Sequence, residues 1–272
     1  MSDNRAIGIF DSGLGGLTVT REIIRLLPDE NIVYFGDTGR VPYGTRSRET
    51  IKKYALQDER FLLSHDVKLI VAACGTVSSV ASDTAELLPV PFVEVVSHSV
   101  KAAVNATKNK KIGILATSAT INSGAHKKQI LEILPDAVVT ESAGTLLVPI
   151  VEEGWTERKD TVATETLKRY LEPMLKAQVD TLILGCTHFP VLSDTIADIL
   201  GQGVTLINMG VSAAEAVKER LSATNGFNDG KTTPEHKFYV SDKTASFEKT
   251  ADILLGDYDK NFDVEQVDIE KI

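Results

Sequence analysis

The chain alternates between short apolar runs and longer stretches in which apolar positions recur every three or four residues. The short runs have strand length and are rich in β-branched residues: AIGIF, NIVYFG, KLIVAAC and PFVEVV, then KIGILAT, AVVTES, TLILGC and VTLINM. Between the first two, LTVTREIIRLLP has the apolar spacing of a helix. Strands that alternate with helices in this way predict an α/β fold with parallel sheets and right-handed crossovers.

The second four runs resemble the first four. RAIGIFDSGLG is similar to KKIGILATSAT, and VKLIVAACGTVSS is similar to VDTLILGCTHFPV, at an offset of about 105 to 112 residues. We therefore predict two pseudo-symmetric α/β lobes, each with a parallel sheet flanked by helices, and an active site in the cleft between them. The strand-like FYVSD near the C-terminus is expected to return to the first lobe. That lobe then takes residues 1–97 and 209–272, and the second takes 98–208.

Composition and charge narrow the classes of protein. Of the 272 residues, 43% are hydrophobic and 25% charged, as in soluble globular proteins. No apolar run approaches the roughly 20 residues of a membrane helix, and MSDNRAIGIF lacks the features of a signal peptide, so we expect no membrane association and a cytoplasmic location. The net charge of -9 argues against nucleic acid as a partner. Backbone N–H groups could still hold a small anionic substrate.

Four chemically reactive residues follow predicted strands: Asp11, Ser12, Cys74 and Cys186. The carboxyl ends of parallel strands are where functional groups gather. A single free cysteine is more often a buried apolar residue. These two are the only cysteines, they occupy equivalent positions in the repeat, and a threonine follows each within two residues, which favours a function. A zinc site is not expected, because no CxxC is present and only His188 lies near either thiol in sequence.

The loops leave alternatives open. DSGLGG, from Asp11 to Gly16, lacks the GxGxxG spacing of a nucleotide loop, so we interpret it as a tight turn whose N–H groups could also hold a carboxylate. GDTGRVPYGTRS is either a surface loop or an anion-contacting loop. His188 either opens the next helix or exchanges a proton with Cys186. Asp11, Asp37 and Glu152 are the carboxylates expected nearest the thiols.

Two thiols on opposite faces of a carbon next to a carboxylate could invert that carbon. One takes its proton as thiolate and the other returns a proton as thiol, so their titrations should be coupled. An ordinary thiol has a pKa of about 8.5, and nearby donors or a cation must lower it. Asp11 and His188 are the candidate proton partners, and Thr76 and Thr187 are candidate donors to the carbanion. No lysine stands in a Schiff-base context, so pyridoxal phosphate is not required.

The ordered set DSGLGG, GDTGRVPYG, the Cys74 segment, ATSAT, VPIVEEG and LGCTHFP resembles the glutamate racemases of the aspartate/glutamate racemase family. The resemblance implies a cofactor-independent, metal-free isomerase that makes D-glutamate for bacterial peptidoglycan, commonly as a homodimer. It implies proton transfer by Cys74 and Cys186, with Glu152 and His188 as acid–base neighbours of the second cysteine. It also implies substrate contacts, which fall on Asp11, Ser12, Pro42, Tyr43, Gly44, Gly75, Thr76, Thr117, Thr120, Thr187 and His188.

Two positions depart from the family pattern. The family usually has Cys-Asn-Thr where this chain has Cys74-Gly75-Thr76, and it more often has Asp-Ser within the segment that is INMG here, from Ile207 to Gly210. Loss of one hydrogen bond from the missing amide would cost about 0.5–1.5 kcal/mol. Three hypotheses therefore remain: a glutamate racemase, a racemase of aspartate or another small carboxylate amino acid, and a catalytically silent glutamate-binding homologue.

Overall fold

The computed structural model describes residues 2–244, 247–256 and 263–271. Within these ranges the strands form two parallel sheets, each flanked by helices. The α/β class predicted from the alternating pattern is confirmed.

The first sheet has the strand order β10-β9-β2-β1-β3-β4. Its central strand β1 places Ile7 opposite Ile32 of β2 and opposite Leu69 of β3. Strand β9, which contains most of FYVSD, lies beside β2 in parallel. The strands are β1 Ile7–Asp11, β2 Ile32–Gly36, β3 Leu69–Ala72, β4 Phe92–Glu94, β9 His236–Val240 and β10 Val264–Gln266.

The second sheet has the order β6-β5-β7-β8, which repeats the order β2-β1-β3-β4 of the first. The predicted pair of pseudo-symmetric lobes is confirmed by this repetition. Its strands are β5 Lys111–Ala116, β6 Val138–Ala143, β7 Thr181–Gly185 and β8 Thr205–Asn208. The boundaries at 97/98 and 208/209 stay a prediction.

The helices begin where side chains or turns satisfy the first backbone N–H groups. The α-helices are α1 Leu17–Leu26, α2 Arg48–Ser64, α3 Gly75–Val80, α4 Val95–Ala106, α5 Ser118–Ser123, α6 Ala125–Ile133, α7 Leu147–Glu152, α8 Thr161–Ala177, α9 Ser193–Leu200, α10 Met209–Thr224 and α11 Phe247–Leu255. Short 3-10 helices cover Thr38–Arg40, Tyr43–Thr45, Ser82–Leu87, Phe189–Leu192 and Ile269–Lys271. Helix α10 packs against both α1 and α4.

Two predicted strands were too long at their carboxyl ends. In PFVEVV the strand stops at Glu94, whose carboxylate accepts hydrogen bonds from the N–H groups of Val96 and Ser97 and so starts α4. In VTLINM the strand stops at Asn208, which caps α10 by accepting from the N–H of Gly210. The apolar residues after each cap continue the hydrophobic pattern, but they face the core from a helix.

Both sheets are buried in the middle. Ile7, Ile9 and Phe10 of β1 are fully buried, as are Leu182 and Ile183 of β7. Parallel strands covered by helices on both faces require such continuous apolar runs. Among the described residues, no helix combines the length and the apolarity needed to cross a membrane.

Candidate active site

The two cysteines lie at the carboxyl ends of equivalent strands. Cys74 follows β3 and precedes the first residue of α3, and Cys186 directly follows β7. Both are free thiols, 5% and 7% exposed. Each therefore lies at the edge of its sheet where the sequence placed it.

The segments that carry the two thiols meet between the lobes. A Cβ atom placed on Gly75 would stand 2.8 Å from the carbonyl oxygen of Gly185, so the residue after Cys74 touches the residue before Cys186. A Cβ atom on Gly15 would stand 2.1 Å from Oγ1 of Thr187. Only glycine allows these backbones to approach so closely. The backbone segments next to the two thiols thus meet in one interlobe contact.

Cys74 lies among groups that keep it protonated. Its Sγ donates a hydrogen bond to Oγ of Ser12 at 3.2 Å. Burial raises the pKa of Cys74 to about 12, and the charge of Asp11 adds to the rise. The hydroxyl of Ser12 and the backbone N–H groups of Ser12 and Val77 oppose it. Cys74 is therefore a thiol at neutral pH, with donors already placed to stabilise a thiolate when one forms.

Asp11 is the last residue of β1 and is 2% exposed. Its Oδ2 accepts a hydrogen bond from the N–H of Gly13 at 2.9 Å, and within the described part of the chain its Oδ1 is buried without a hydrogen-bond partner. Burial raises the pKa of Asp11, while His188 and the N–H groups of Gly13 and Gly16 act in the opposite direction. An unsatisfied acceptor of this kind suits a donor supplied by Cys74 or by a bound ammonium group.

Cys186 has a histidine neighbour that is itself paired. Nδ1 of His188 lies 3.9 Å from Sγ of Cys186, and Nε2 lies 3.1 Å from Oε1 of Glu152. Burial lowers the pKa of His188, but the hydrogen bonds to Cys186 and Glu152, together with their charges, raise it to about 10. The ring is thus a cation at neutral pH. One thiol stands beside a carboxyl group and the other beside an imidazolium.

Three predicted hydroxyl groups lie beside this contact. Oγ1 of Thr76, from the first lobe, is 3.4 Å from Oγ1 of Thr117, from the second, and Thr117 donates to Thr120 at 3.0 Å. Gly44 faces helix α5, which contains Thr120, since a Cβ atom on Gly44 would lie 3.8 Å from Cβ of Ala119 in that helix. Thr76, Thr117 and Thr120 therefore form one polar cluster across the lobes, and their contact with substrate stays a prediction.

The side chain of Tyr43 points into the first lobe. It is 1% exposed, and its hydroxyl bonds to Asp37 and, at 3.1 Å, to Asp58. Arg40 bonds to both carboxylates, at 2.6 Å and 3.0 Å, and Ser241 donates to Asp37 at 2.8 Å. Asp37 was expected near the thiols, but its oxygens are occupied in this network. The hydroxyl of Tyr43 is thus engaged inside the lobe, and any contact of the Pro42–Gly44 loop with an anion would have to come from its backbone.

Three further residues support the site through contacts that were not predicted from the sequence. Tyr34 donates from its hydroxyl to the carbonyl of Gly13 at 2.9 Å and holds the turn after β1. Thr18 donates to the carbonyl of Thr187 at 2.7 Å and joins the lobes. Met209 lies behind Gly75. For Tyr34, a tyrosine inside an otherwise apolar strand was the signal available in the sequence. The contacts of Thr18 and Met209 leave no signal in the sequence.

Among the described residues, no group of three or more His, Cys, Asp or Glu could hold a metal ion.

Comparison with known proteins places the chain in a family. The profile of the Asp/Glu/Hydantoin racemase family matches residues 7–217. The glutamate racemase of Neisseria meningitidis serogroup A is 44% identical over 254 residues, 93% of each chain, and that of Geobacter metallireducens is 42% identical over 267 residues, 98% of this chain and 97% of the other. A crystal structure of the Francisella tularensis glutamate racemase with D-glutamate has a TM-score of 0.90 at 35% identity and covers 99% of this chain and 100% of that one.

The family match and these relatives define the class of the protein as a racemase, that is, an isomerase. The chain belongs to the Asp/Glu/Hydantoin racemase family, as the sequence motifs predicted.

Proposed function

We propose that this racemase interconverts L- and D-glutamate by proton transfer at the α-carbon between Cys74 and Cys186, without a cofactor. The observation that carries the proposal is the pairing of two buried thiols beside one interlobe contact with opposite electrostatic partners. Asp11 adjoins Cys74, and His188 adjoins Cys186. The names of the relatives and the D-glutamate in the Francisella tularensis structure support glutamate as the substrate.

The charges suggest how a turnover starts. The imidazolium of His188 favours a thiolate on Cys186, which takes the α-proton from one face of the substrate. Cys74, a thiol, gives its own proton to the opposite face and becomes a thiolate, held by the hydroxyl of Ser12 and the N–H of Val77. The product is the mirror image, and each sulfur has exchanged one proton. The reverse reaction begins from this swapped state, with Cys74 as the thiolate and Cys186 as the thiol. The resting state returns when Cys186 releases a proton to solvent and Cys74 takes one up, a transfer that Asp11 can relay.

The remaining site residues hold the substrate. Fixed N–H and hydroxyl donors around the α-carboxylate stabilise the carbanion because they are in place before charge develops. The loop Pro42–Gly44 offers backbone groups to the side-chain carboxylate. Gly75 can offer only its backbone, since it has no side chain. The proposed donors to the amino-acid head are Ser12, Thr76, Thr117, Thr120 and Thr187.

Circular dichroism with L- and D-glutamate tests the reaction directly. Cys74→Ala and Cys186→Ala should each abolish racemisation, and the wild type should incorporate deuterium at the α-position in heavy water. Ser99→Ala is a matched control, because Ser99 is fully buried and, in the described part of the chain, its hydroxyl bonds within its own helix, to the carbonyl of Val96. Full activity in either cysteine variant, or turnover without deuterium incorporation, would contradict the two-thiol scheme.

Gly75 supports a second candidate function, which is the racemisation of aspartate or another small carboxylate amino acid. Without a side chain at this position, the site lacks one donor to the substrate head and its preference could differ. Measuring kcat/KM for both amino acids decides between them, and a preference for aspartate would overturn the assignment to glutamate. Tight glutamate binding without solvent exchange would instead indicate a silent homologue.

We also propose that the protein acts in the cytoplasm, as a homodimer, and supplies D-glutamate for peptidoglycan. Rescue of a bacterial strain that requires D-glutamate would support the cellular role, and failure of the active enzyme to rescue it would contradict that role. Analytical ultracentrifugation measures the oligomeric state, and a monomer at all concentrations would contradict the dimer.

A further inference from the structure

The backbones that carry the two thiols come close to each other at Gly75. A Cβ atom at this position would stand 2.8 Å from the carbonyl oxygen of Gly185, which is closer than real Cβ atoms come to other heavy atoms. Gly75 directly follows Cys74, and Gly185 directly precedes Cys186. The obstacle is backbone and not the end of a flexible side chain, so a rotamer change cannot relieve it.

Gly185 has no room to retreat into its own lobe. It pairs with Ala116 of the neighbouring strand β5, and a Cβ atom on Gly185 would lie 2.8 Å from Cβ of Ala116 and 3.2 Å from the carbonyl oxygen of Leu115. This end of β7 is therefore packed against β5. An atom added to Gly75 has to be accommodated by movement between the lobes.

Met209 completes the contact. It is the first residue of α10, is 1% exposed, and places its Cε 3.5 Å from the position of a Cβ atom on Gly75. A longer side chain at position 75 would have to displace this thioether. The two places where the sequence departs from the family pattern, Gly75 and the INMG segment, thus meet in space.

We propose that Gly75 and Met209 are positioning residues that set the separation of the two thiols. The missing side chain at Gly75 lets the lobes close until both sulfurs reach one carbon, and Met209 occupies the volume that a side chain would take. The kinetic part of this inference rests on the proposed racemisation. Proton transfer requires hydrogen-bond reach, and a displacement of about 1 Å in an active site can cost about a hundredfold in rate.

Gly75→Ala tests the spacing with one added methyl group. We expect kcat to fall about ten- to a hundredfold in both directions. Gly203→Ala is the matched control, because a Cβ atom there meets nothing within 4 Å, and its kcat should not change. Gly8→Ala controls for crowding in the core, since its Cβ atom would lie 3.1 Å from Val67; it should lower Tm and leave kcat unchanged.

Alkylation of the thiols measures the lobe separation without reference to turnover. The rates at which iodoacetamide modifies Cys74 and Cys186, followed by mass spectrometry, should rise severalfold in Gly75→Ala and stay unchanged in Gly203→Ala. Wild-type kcat and wild-type alkylation rates in Gly75→Ala would overturn the inference. If the wild type does not racemise glutamate, the proposed function fails, and the alkylation rates still decide the spacing.

A double-mutant cycle tests the part assigned to Met209. Gly75→Asn should lose at least tenfold in kcat/KM, and Met209→Ser in the same chain should recover at least threefold, because the serine leaves room for the amide. Residues in contact are expected to show such non-additivity. Strictly additive effects would remove Met209 from the proposal.

Discussion

Replacement of Glu152 by glutamine tests whether His188 is a cation in the resting site. Nε2 of His188 lies 3.1 Å from Oε1 of Glu152. Unit charges at this separation attract by about 1 kcal/mol in bulk water and by about 5 kcal/mol at an effective dielectric constant of 20. The side chain of Glu152 is 48% exposed, so solvent screens this attraction, and we expect the ion pair to stabilise the protonated ring by about 1.5–3 kcal/mol.

This energy is equivalent to a fall of about one to two in the pKa of His188. Glutamine keeps the shape of the carboxylate but not its charge, so the protonated ring loses stability and the pKa drops from about 10 to about 8–9. In the proposed mechanism the imidazolium supports proton abstraction by Cys186, so the alkaline limb of the kcat/KM profile should move down by the same interval. Activity near pH 7 should fall less, since most of the ring stays protonated there.

An NMR titration of the histidine ring protons measures the shift directly. The chain has five histidines, and the resonance missing from His188→Asn identifies the right one. Glu153→Gln is the matched control, because this exposed neighbour has the same charge, while among the described residues the carboxylate paired with the ring is that of Glu152. A His188 pKa unchanged in Glu152→Gln, or shifted equally in Glu153→Gln, would refute the reasoning.

Three further predictions concern stability and the first thiol. His126 is buried without a hydrogen-bond partner among the described residues, and burial lowers its pKa from 6.5 to about 4. Between these pH values the unfolded chain therefore binds a proton that the folded chain does not. In urea unfolding, the free energy of unfolding of the wild type should fall by up to about 3 kcal/mol relative to His126→Leu between pH 6.5 and pH 4, and it should not change above pH 7. Lys68→Met should lower the free energy of unfolding by about 3–5 kcal/mol in thermal unfolding, because it leaves the carboxylate of Glu30, 2.5 Å away and 2% exposed, without its cation. Adding Glu30→Gln to this variant should recover part of the lost stability. Ser12→Ala should lower kcat/KM about tenfold in both directions in the circular dichroism assay, because loss of its hydrogen bond raises the pKa of Cys74; an unchanged rate would remove Ser12 from the site.

The apolar pattern was sufficient for the fold class and for the pairing of the repeats. Parallel strands are buried on both faces, so runs such as AIGIF and TLILGC are continuous and easy to recognise. The apolar pattern did not determine where each strand ends. Val95 and Met209 continue apolar runs, and only the side-chain caps at Glu94 and Asn208 show that helices begin there. Strand β10 is three residues long and was not predicted, because VEQ has too few apolar positions to form a pattern.

The sequence alone also determined the main reactive residues. Cys74 and Cys186 could be paired because they occupy equivalent strand ends, and Asp11 and His188 are close to such ends in the chain. Chemistry at the ends of parallel strands follows from topology, which the alternation of elements already encodes.

Only the tertiary structure decided which groups that are distant in the chain meet in space. The hydrogen bond from Ser241 to Asp37 spans 204 positions in the chain, and it belongs to the network that turns the ring of Tyr43 away from the cleft. The close approach of Gly75 to the carbonyl oxygen of Gly185 joins the two lobes. Periodicity shows which face of a helix or strand is buried, because burial acts on each element by itself. It does not specify the partner on the opposite face, because that depends on how the lobes pack together.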